Sequence, residues 1–144
     1  EIIEIFVKNG CAYIEKPEDV EKLKKTLFTI TETGGFAMNK NLVGQSAVKV
    51  AETAGITVPA DTKVLLVKAD CCGRGDCLSK EKMCPVISTY SYDSWEEAVA
   101  TAQANLDVEG RGHSVSIHSE NKDHIEYYRV PRTHQSNLFH NERR

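Results

Sequence analysis

The residues best suited to chemistry in this chain are its five cysteines. Cys71, Cys72, Cys77 and Cys84 fall within fourteen residues, and Cys11 lies alone near the start. The thiolate is the nucleophilic and metal-binding form of cysteine. The spacing differs from the paired C-x2-C of structural zinc sites, and two adjacent cysteines rarely bind one tetrahedral ion without strain. Zinc or iron–sulfur binding and reversible oxidation therefore stay open, beside free thiols without a role.

Glu81 is the candidate carboxylate, and it stands between Lys80 and Lys82. A carboxylate accepts hydrogen bonds through both oxygens, which suits two neighbouring hydroxyls of a sugar. In isolation such a glutamate is most simply a solvated surface charge. The pattern around Glu81 must therefore decide between a binding role and a surface role.

Composition narrows the classes of protein to consider. The chain has 144 residues, a net charge of −3, 40% hydrophobic and 27% charged residues. These values are typical of one soluble globular domain, and they give no electrostatic reason to expect nucleic acid or an anionic membrane as a partner. No apolar run approaches the ~20 residues of a membrane span. The odd number of cysteines and the lack of an export signal favour reduced thiols and a cytoplasmic protein.

Strands and helices alternate along the sequence, which predicts an α/β layered sheet. A helix beginning at Pro17 has a buried stripe of Val20, Leu23, Leu27 and Phe28. The apolar run over 63–67 predicts a strand buried on both faces. We predict helices over 1–8, 17–28, 44–53, 94–105 and 122–128, and strands over 12–14, 63–67, 85–92 and 113–118. Ser94 and Glu97 predict a capping box at the start of the fourth helix. The helix over 44–53 is expected to bury a face of small residues, namely Val43, Ala47, Val50, Ala51 and Ala54. Residues 29–41 are expected to be turn-rich and 69–80 to form a polar loop. Residues 129–144 are expected to form a basic irregular tail, either loose or docked elsewhere as an element.

Four segments, in this order, resemble the CoA-acylating branch of the aldehyde dehydrogenase superfamily. They are the turn into a helix at 42–47 (LVGQSA), the stretch 54–65 (AGITVPADTKVL), the stretch 78–86 (LSKEKMCPV), and the stretch 109–119 (EGRGHSVSIHS). The third of them is similar to the family's Glu-x-x-Gly/Ser/Cys-Pro-Val segment. Each segment alone is a weak signal, but four at natural spacing are a strong one.

The resemblance implies a fold, an activity and a site. Residues 1–128 would be an incomplete catalytic domain of the aldehyde dehydrogenase type. The parent reaction would be aldehyde plus CoA plus NAD to acyl-CoA plus NADH, with NAD as cofactor. Glu81 would bind the ribose of the nicotinamide half of NAD. Because family members are oligomers, we expect a homo-oligomer.

The same resemblance places the family's nucleophilic cysteine upstream of Glu1, and no Gly-x-Gly-x-x-Gly appears in the chain. We therefore expect a fragment that is inactive by itself, with no catalytic and no metal-binding residue of its own. One alternative keeps catalysis here through Cys11. A second alternative is a protein of a different class, a non-catalytic thiol-rich binding or assembly module on the same fold. One version of it binds a metal ion through the cysteines at 71–84.

Overall fold

The computed structural model describes residues 2–110, 115–129 and 138–140. These residues contain five α-helices, three short 3-10 helices and seven strands. The helices are α1 (Ile2–Lys8), α2 (Pro17–Leu27), α3 (Ala47–Thr53), α4 (Trp95–Glu109) and α5 (Lys122–Arg129). The strands are β1 (Cys11–Ile14), β2 (Phe28–Ile30), β3 (Phe36–Met38), β4 (Val64–Lys68), β5 (Val86–Thr89), β6 (Val115–Ile117) and β7 (Leu138–His140). None of the described helices is long and apolar enough to cross a membrane.

A parallel three-stranded sheet in the order β1-β4-β5 forms the centre of the fold. Leu66 of the middle strand pairs with Tyr13 on one side and with Ile87 on the other. Leu65, Leu66 and Val67 are at most 1% exposed, which confirms the prediction of a strand buried on both faces. Parallel strands with helical connections are the α/β class that the sequence predicted.

Helix α2 packs its apolar stripe into the core as predicted. Pro17 stands at its first position, where a missing N–H costs nothing, and Glu18 and Asp19 lie in its first turn. The helix ends at Leu27, one residue earlier than predicted. The four residues of the predicted stripe are all buried: Val20, Leu23, Leu27 and Phe28.

Helix α3 begins three residues later than the predicted start at Gly44. The hydroxyl of Ser46 accepts the N–H of Lys49 at 3.2 Å and so caps the helix. Gly44 has a φ of +72° and is part of the turn before the helix. Val43 was expected on the buried face, but it precedes the helix and is 42% exposed. The rest of the predicted face is buried, namely Ala47, Val50, Ala51 and Ala54.

Three further predictions from the sequence were wrong in detail. The turn-rich stretch 29–41 contains the antiparallel pair β2–β3, whose three-residue strands are too short to show a period. Strand β5 covers only Val86–Thr89 of the predicted 85–92. Helix α4 continues beyond the predicted end at Asn105 to Glu109, because the helix stops only at Gly110, with its φ of +97°.

The C-terminal part contains a second, smaller parallel pair. Strand β6 lies alongside β7, with Val115 opposite Leu138. The sequence predicted a tail over 129–144 that is either loose or docked elsewhere as an element. Arg129 ends α5, and Leu138–His140 is a strand docked on β6, so these residues are not a loose tail. The other tail residues, and residues 111–114 of the fourth resembling segment, lie outside the described residues. The division of the chain at residue 128 stays a prediction.

Candidate functional site

Glu81 lies in the 69–85 loop, which connects β4 to β5. The loop is anchored by Asp76, whose side chain is 4% exposed. One oxygen of this carboxylate accepts the N–H of Leu78 at 2.9 Å, and the other accepts the ammonium of Lys24 at 3.2 Å. Burial acts to lower the pKa of Lys24, but the hydrogen bond and the charge of Asp76 outweigh it, so the pKa is raised. A buried ion pair therefore holds the loop against α2.

A second set of contacts ties the loop to α4. The N–H of Gly73 donates to the amide oxygen of Asn105 at 2.9 Å, and the Arg74 guanidinium donates to the carbonyl of Asp107 at 3.3 Å. Gly73 has a φ of +75°, and a Cβ there would lie 3.4 Å from that of Ala104. The close approach of loop and helix therefore favours glycine at this position.

Lys82 turns back into the loop. Its ammonium donates to the carbonyl oxygens of Leu78 and Lys80, the latter at 3.0 Å. Burial lowers the pKa of Lys82, although the nearby Cys77, Cys84 and Asp76 act in the opposite direction. Lys82 is therefore an internal brace of the loop and is not a free surface charge.

Glu81 itself presents an exposed side chain beside the end of α4. Its backbone N–H donates to Glu109 Oε1 at 3.4 Å, and the ammonium of its neighbour Lys80 lies 2.9 Å from the same oxygen. Within the described part of the chain the carboxylate of Glu81 accepts no hydrogen bond. Both lysines that flank Glu81 are thus engaged elsewhere, and its two oxygens are available to a ligand.

A cavity of about 360 Å³ opens next to Glu81. Its size is that of a pocket for a small molecule or for part of a cofactor. The wall combines a few charged and polar groups with apolar side chains of α4 and β6. The lining residues are Ser79, Lys80, Glu81, Ala102, Asn105, Leu106, Glu109 and Val115. This lining could accommodate a sugar, with its hydroxyls on the carboxylate of Glu81 and its ring against apolar carbon.

The four loop cysteines do not converge on one point. Cys71 and Cys72 are exposed, Cys77 is buried and Cys84 is half-buried. Burial raises the pKa of Cys77, with a further contribution from Asp76, and burial also raises the pKa of Cys84. In residues 2–110, 115–129 and 138–140, no three His, Cys, Asp or Glu side chains are grouped so that they could hold a metal ion.

Cys11, the alternative nucleophile, lies at the start of β1. It is half-buried, and its backbone pairs with Val64 of β4. It does not line the cavity beside Glu81. The structure therefore does not bring Cys11 to the one carboxylate that the sequence singled out.

Reasoning from the sequence missed Glu109 and Asp76, which organise the site. Glu109 is 28 residues from Glu81 in sequence, so only the tertiary structure shows the contact. No sequence signal marked Glu109, because the predicted helix ended at Asn105 and Glu109 lay outside it. Asp76 offered no signal either.

A parallel sheet packed with helices defines an α/β protein, and the cavity beside Glu81, next to the loop after the central strand, is its candidate small-molecule site. Comparison with known proteins is consistent with this class. No family model matches the chain. It is 44% identical over 126 residues to the succinate-semialdehyde dehydrogenase (acetylating) of Clostridium kluyveri, covering 88% of this chain and 27% of that protein. It is 35% identical over 120 residues to the sulfoacetaldehyde dehydrogenase (acylating) of Bilophila wadsworthia, covering 83% and 26%.

A solved structure gives the same result. The chain superimposes on an acetylating aldehyde dehydrogenase from Geobacillus thermoglucosidasius with a TM-score of 0.78 and 29% identity, over 90% of this chain and 27% of that one. The chain belongs to the CoA-acylating aldehyde dehydrogenase family. It spans about a quarter of the length of the curated relatives that it matches.

Proposed function

We propose that this chain is part of an NAD-dependent, CoA-acylating aldehyde dehydrogenase, in which Glu81 binds the ribose of the nicotinamide half of NAD. The reaction is aldehyde plus CoA plus NAD⁺ to acyl-CoA plus NADH plus a proton. Of two similar proteins, one is named an acetylating and the other an acylating dehydrogenase of an aldehyde. These names support the class of reaction, and the geometry of the cavity supports Glu81 as the residue that binds ribose.

The observation that carries the proposal is the free carboxylate of Glu81 at the cavity. Lys80 is paired with Glu109, and Lys82 donates to two loop carbonyls. Neither lysine neutralises Glu81, so its oxygens can accept two vicinal hydroxyls of a ribose. When NAD is bound, it accepts the hydride. The role of Glu81 is to hold the ribose so that the nicotinamide ring keeps one orientation.

The described cysteines do not supply the nucleophile in this proposal. An attacking thiol must be a thiolate, and burial raises the pKa of both Cys77 and Cys84, which keeps them protonated at neutral pH. No cysteine is among the described residues that line the cavity. We therefore expect the 144-residue chain to be inactive alone and to need a thiol from another part of the enzyme.

Assembly with further polypeptide is supported by the surface of α1. Ile2, Ile5, Phe6 and Val7 are all at least 44% exposed. A run of large apolar side chains on one short helix is costly in water and is typical of a surface that meets more protein. We include in this proposal that the enzyme is a homo-oligomer, as members of the family are.

A chimera tests the function. The 126 matching residues would replace their counterparts in the Clostridium kluyveri relative, and NADH formation would be followed by absorbance with aldehyde, CoA and NAD. We expect an active chimera, and we expect Glu81→Gln to raise the KM for NAD on the order of tenfold through weaker ribose hydrogen bonds. Glu32→Gln, an exposed glutamate on the β2–β3 turn, is the matched control.

Two results would contradict the proposal. An unchanged KM for NAD in the Glu81→Gln chimera would remove the ribose role. CoA- and NAD-dependent turnover by the 144-residue chain alone would show that its own cysteines suffice. In that case Cys11→Ser would show whether Cys11 is the nucleophile.

A further inference from the structure

The peptide unit between Lys80 and Glu81 is held at both ends by charged side chains. Its carbonyl oxygen accepts the ammonium of Lys82 at 3.0 Å, and its N–H donates to Glu109 Oε1 at 3.4 Å. The two groups belong to one planar trans unit and point in opposite directions. A rotation of that plane therefore breaks both hydrogen bonds together.

Each of the two side chains is anchored by a second contact. The ammonium of Lys82 also donates to the carbonyl of Leu78, a residue that is 1% exposed and part of the core. Glu109 Oε1 also contacts the ammonium of Lys80 at 2.9 Å. The peptide is thus held between the core on one side and the end of α4 on the other.

The position of Glu109 is not explained by helix stability. It is the last residue of α4, where the negative end of the helix dipole repels a carboxylate. Two donors from the loop, the Glu81 N–H and the Lys80 ammonium, bind its carboxylate there. An acidic residue there stabilises the loop at the expense of the helix end.

We infer that Lys82 and Glu109 are positioning residues, which orient the 80–81 peptide so that the carboxylate of Glu81 stays at the cavity. The inference rests on the proposed role of Glu81 in binding ribose. Neither residue needs to touch the ribose for this effect. If the peptide could rotate freely, the carboxylate of Glu81 would point in several directions. Only the fraction of molecules with the carboxylate at the cavity could bind the ligand, so the apparent affinity would be lower.

The first experiment is independent of cofactor binding. In the 144-residue chain, the Glu81 amide would be followed by ¹H–¹⁵N NMR in wild type, Glu109→Leu, Glu109→Gln and Lys82→Met. Glu109→Leu should move the Glu81 amide proton upfield and make its exchange with water roughly tenfold faster. Glu109→Gln should stay near wild type, because its amide oxygen can still accept. An unmoved Glu81 amide in Glu109→Leu would overturn the inference.

The second experiment measures the KM for NAD and the KM for aldehyde in the chimera. A general loss of stability would not change one of these constants and leave the other unchanged. Lys82→Met and Glu109→Leu should each raise the KM for NAD about tenfold, while the KM for aldehyde stays unchanged. Lys49→Met and Glu52→Leu, at an exposed ion pair of 3.7 Å on α3, are the matched controls. Glu109→Gln should restore most of the NAD affinity that Glu109→Leu loses.

The outcomes separate the two proposals. If Glu81→Gln leaves the KM for NAD unchanged, the ribose role fails, whatever the NMR result shows. If Glu81→Gln raises that KM but Lys82→Met and Glu109→Leu do not, the ribose role stands and the positioning inference fails. Should Lys82→Met unfold, Glu109→Leu still decides the matter, because Glu109 is exposed and its replacement leaves the core intact.

Discussion

The ammonium of Lys24 lies 3.2 Å from the carboxylate of Asp76, and this contact joins helix α2 to the loop that carries Glu81. The two residues are 52 positions apart in sequence. Asp76 is the more deeply buried partner, and it also accepts the N–H of Leu78. A single carboxylate therefore sets both the local turn of the loop and its contact with the core.

Removing the carboxylate of Asp76 should destabilise the protein. Asp76→Ala leaves the N–H of Leu78 without its buried acceptor and removes the nearer of two carboxylates from Lys24, which keeps its 3.5 Å contact with Glu21. The substitution should lower the free energy of unfolding by about 2–3 kcal/mol. Urea denaturation followed by circular dichroism would measure the change. Asp19→Asn, at an exposed pair with Lys22, is the control and should change stability little. Equal effects in the two variants would contradict the assignment of Asp76 as the anchor.

Alkaline pH should weaken the fold through Cys77. Burial raises the pKa of this thiol in the folded state, above its ordinary value of 9.0. The contribution of the neutral thiol is therefore fully present below about pH 9 and is lost as pH rises through the folded-state pKa. The difference in unfolding free energy between wild type and Cys77→Ala should shrink from pH 8 to pH 10.5. A difference that is constant over this range would rule out the linkage.

The cysteines should differ in their rates of alkylation. Cys71 and Cys72 are exposed, whereas Cys77 is buried and Cys84 is half-buried. Because burial also raises the pKa of the latter two, they offer less thiolate as well as less access. Mass spectrometry after brief iodoacetamide treatment should find Cys71 and Cys72 modified first. Early modification of Cys84 would indicate that the loop opens readily.

Helices α4 and α5 meet through Trp95 and His124. Their rings are stacked, with centroids 4.5 Å apart and planes 4° from parallel. His124→Ala should lower the free energy of unfolding by about 1 kcal/mol and move the Trp95 emission to longer wavelength as the indole meets water. Because Trp95 is the only tryptophan, its fluorescence is unambiguous. His118→Ala, at an exposed position after β6, should leave the emission unchanged.

Much of the fold could be predicted because its signals are local. Pro17 and the stripe after it defined α2, and the continuous apolar run at 63–67 defined the central strand. Ser94 and Glu97 predicted a capping box. The hydroxyl of Ser94 does accept the N–H of Glu97 at 3.1 Å, while the carboxylate of Glu97 reaches Asp93, one residue before the cap.

Other features could not be predicted for a physical reason. Three-residue strands such as β2 and β3 carry no period, so pairing alone creates them. Helix α4 ends at Glu109, four residues beyond the predicted end at Asn105, because the backbone turns only at Gly110. The contact of Glu109 with the Glu81 N–H joins residues 28 positions apart, and the contact of Lys82 with the Lys80 carbonyl needs the folded loop, so no periodic pattern encodes either one.

The sequence alone determined the α/β class, the family and the choice of Glu81, because periodicity and short motifs are properties of neighbouring residues. Only the tertiary structure decided how Glu81 is held. The packing of the 69–85 loop on α4 brings Glu109 to the Glu81 N–H, and the return of Lys82 into the loop brings its ammonium to the Lys80 carbonyl. The Glu109 contact exists because folding brings the end of α4 to the loop, and the Lys82 contact, although local in sequence, exists because packing fixes the conformation of the loop.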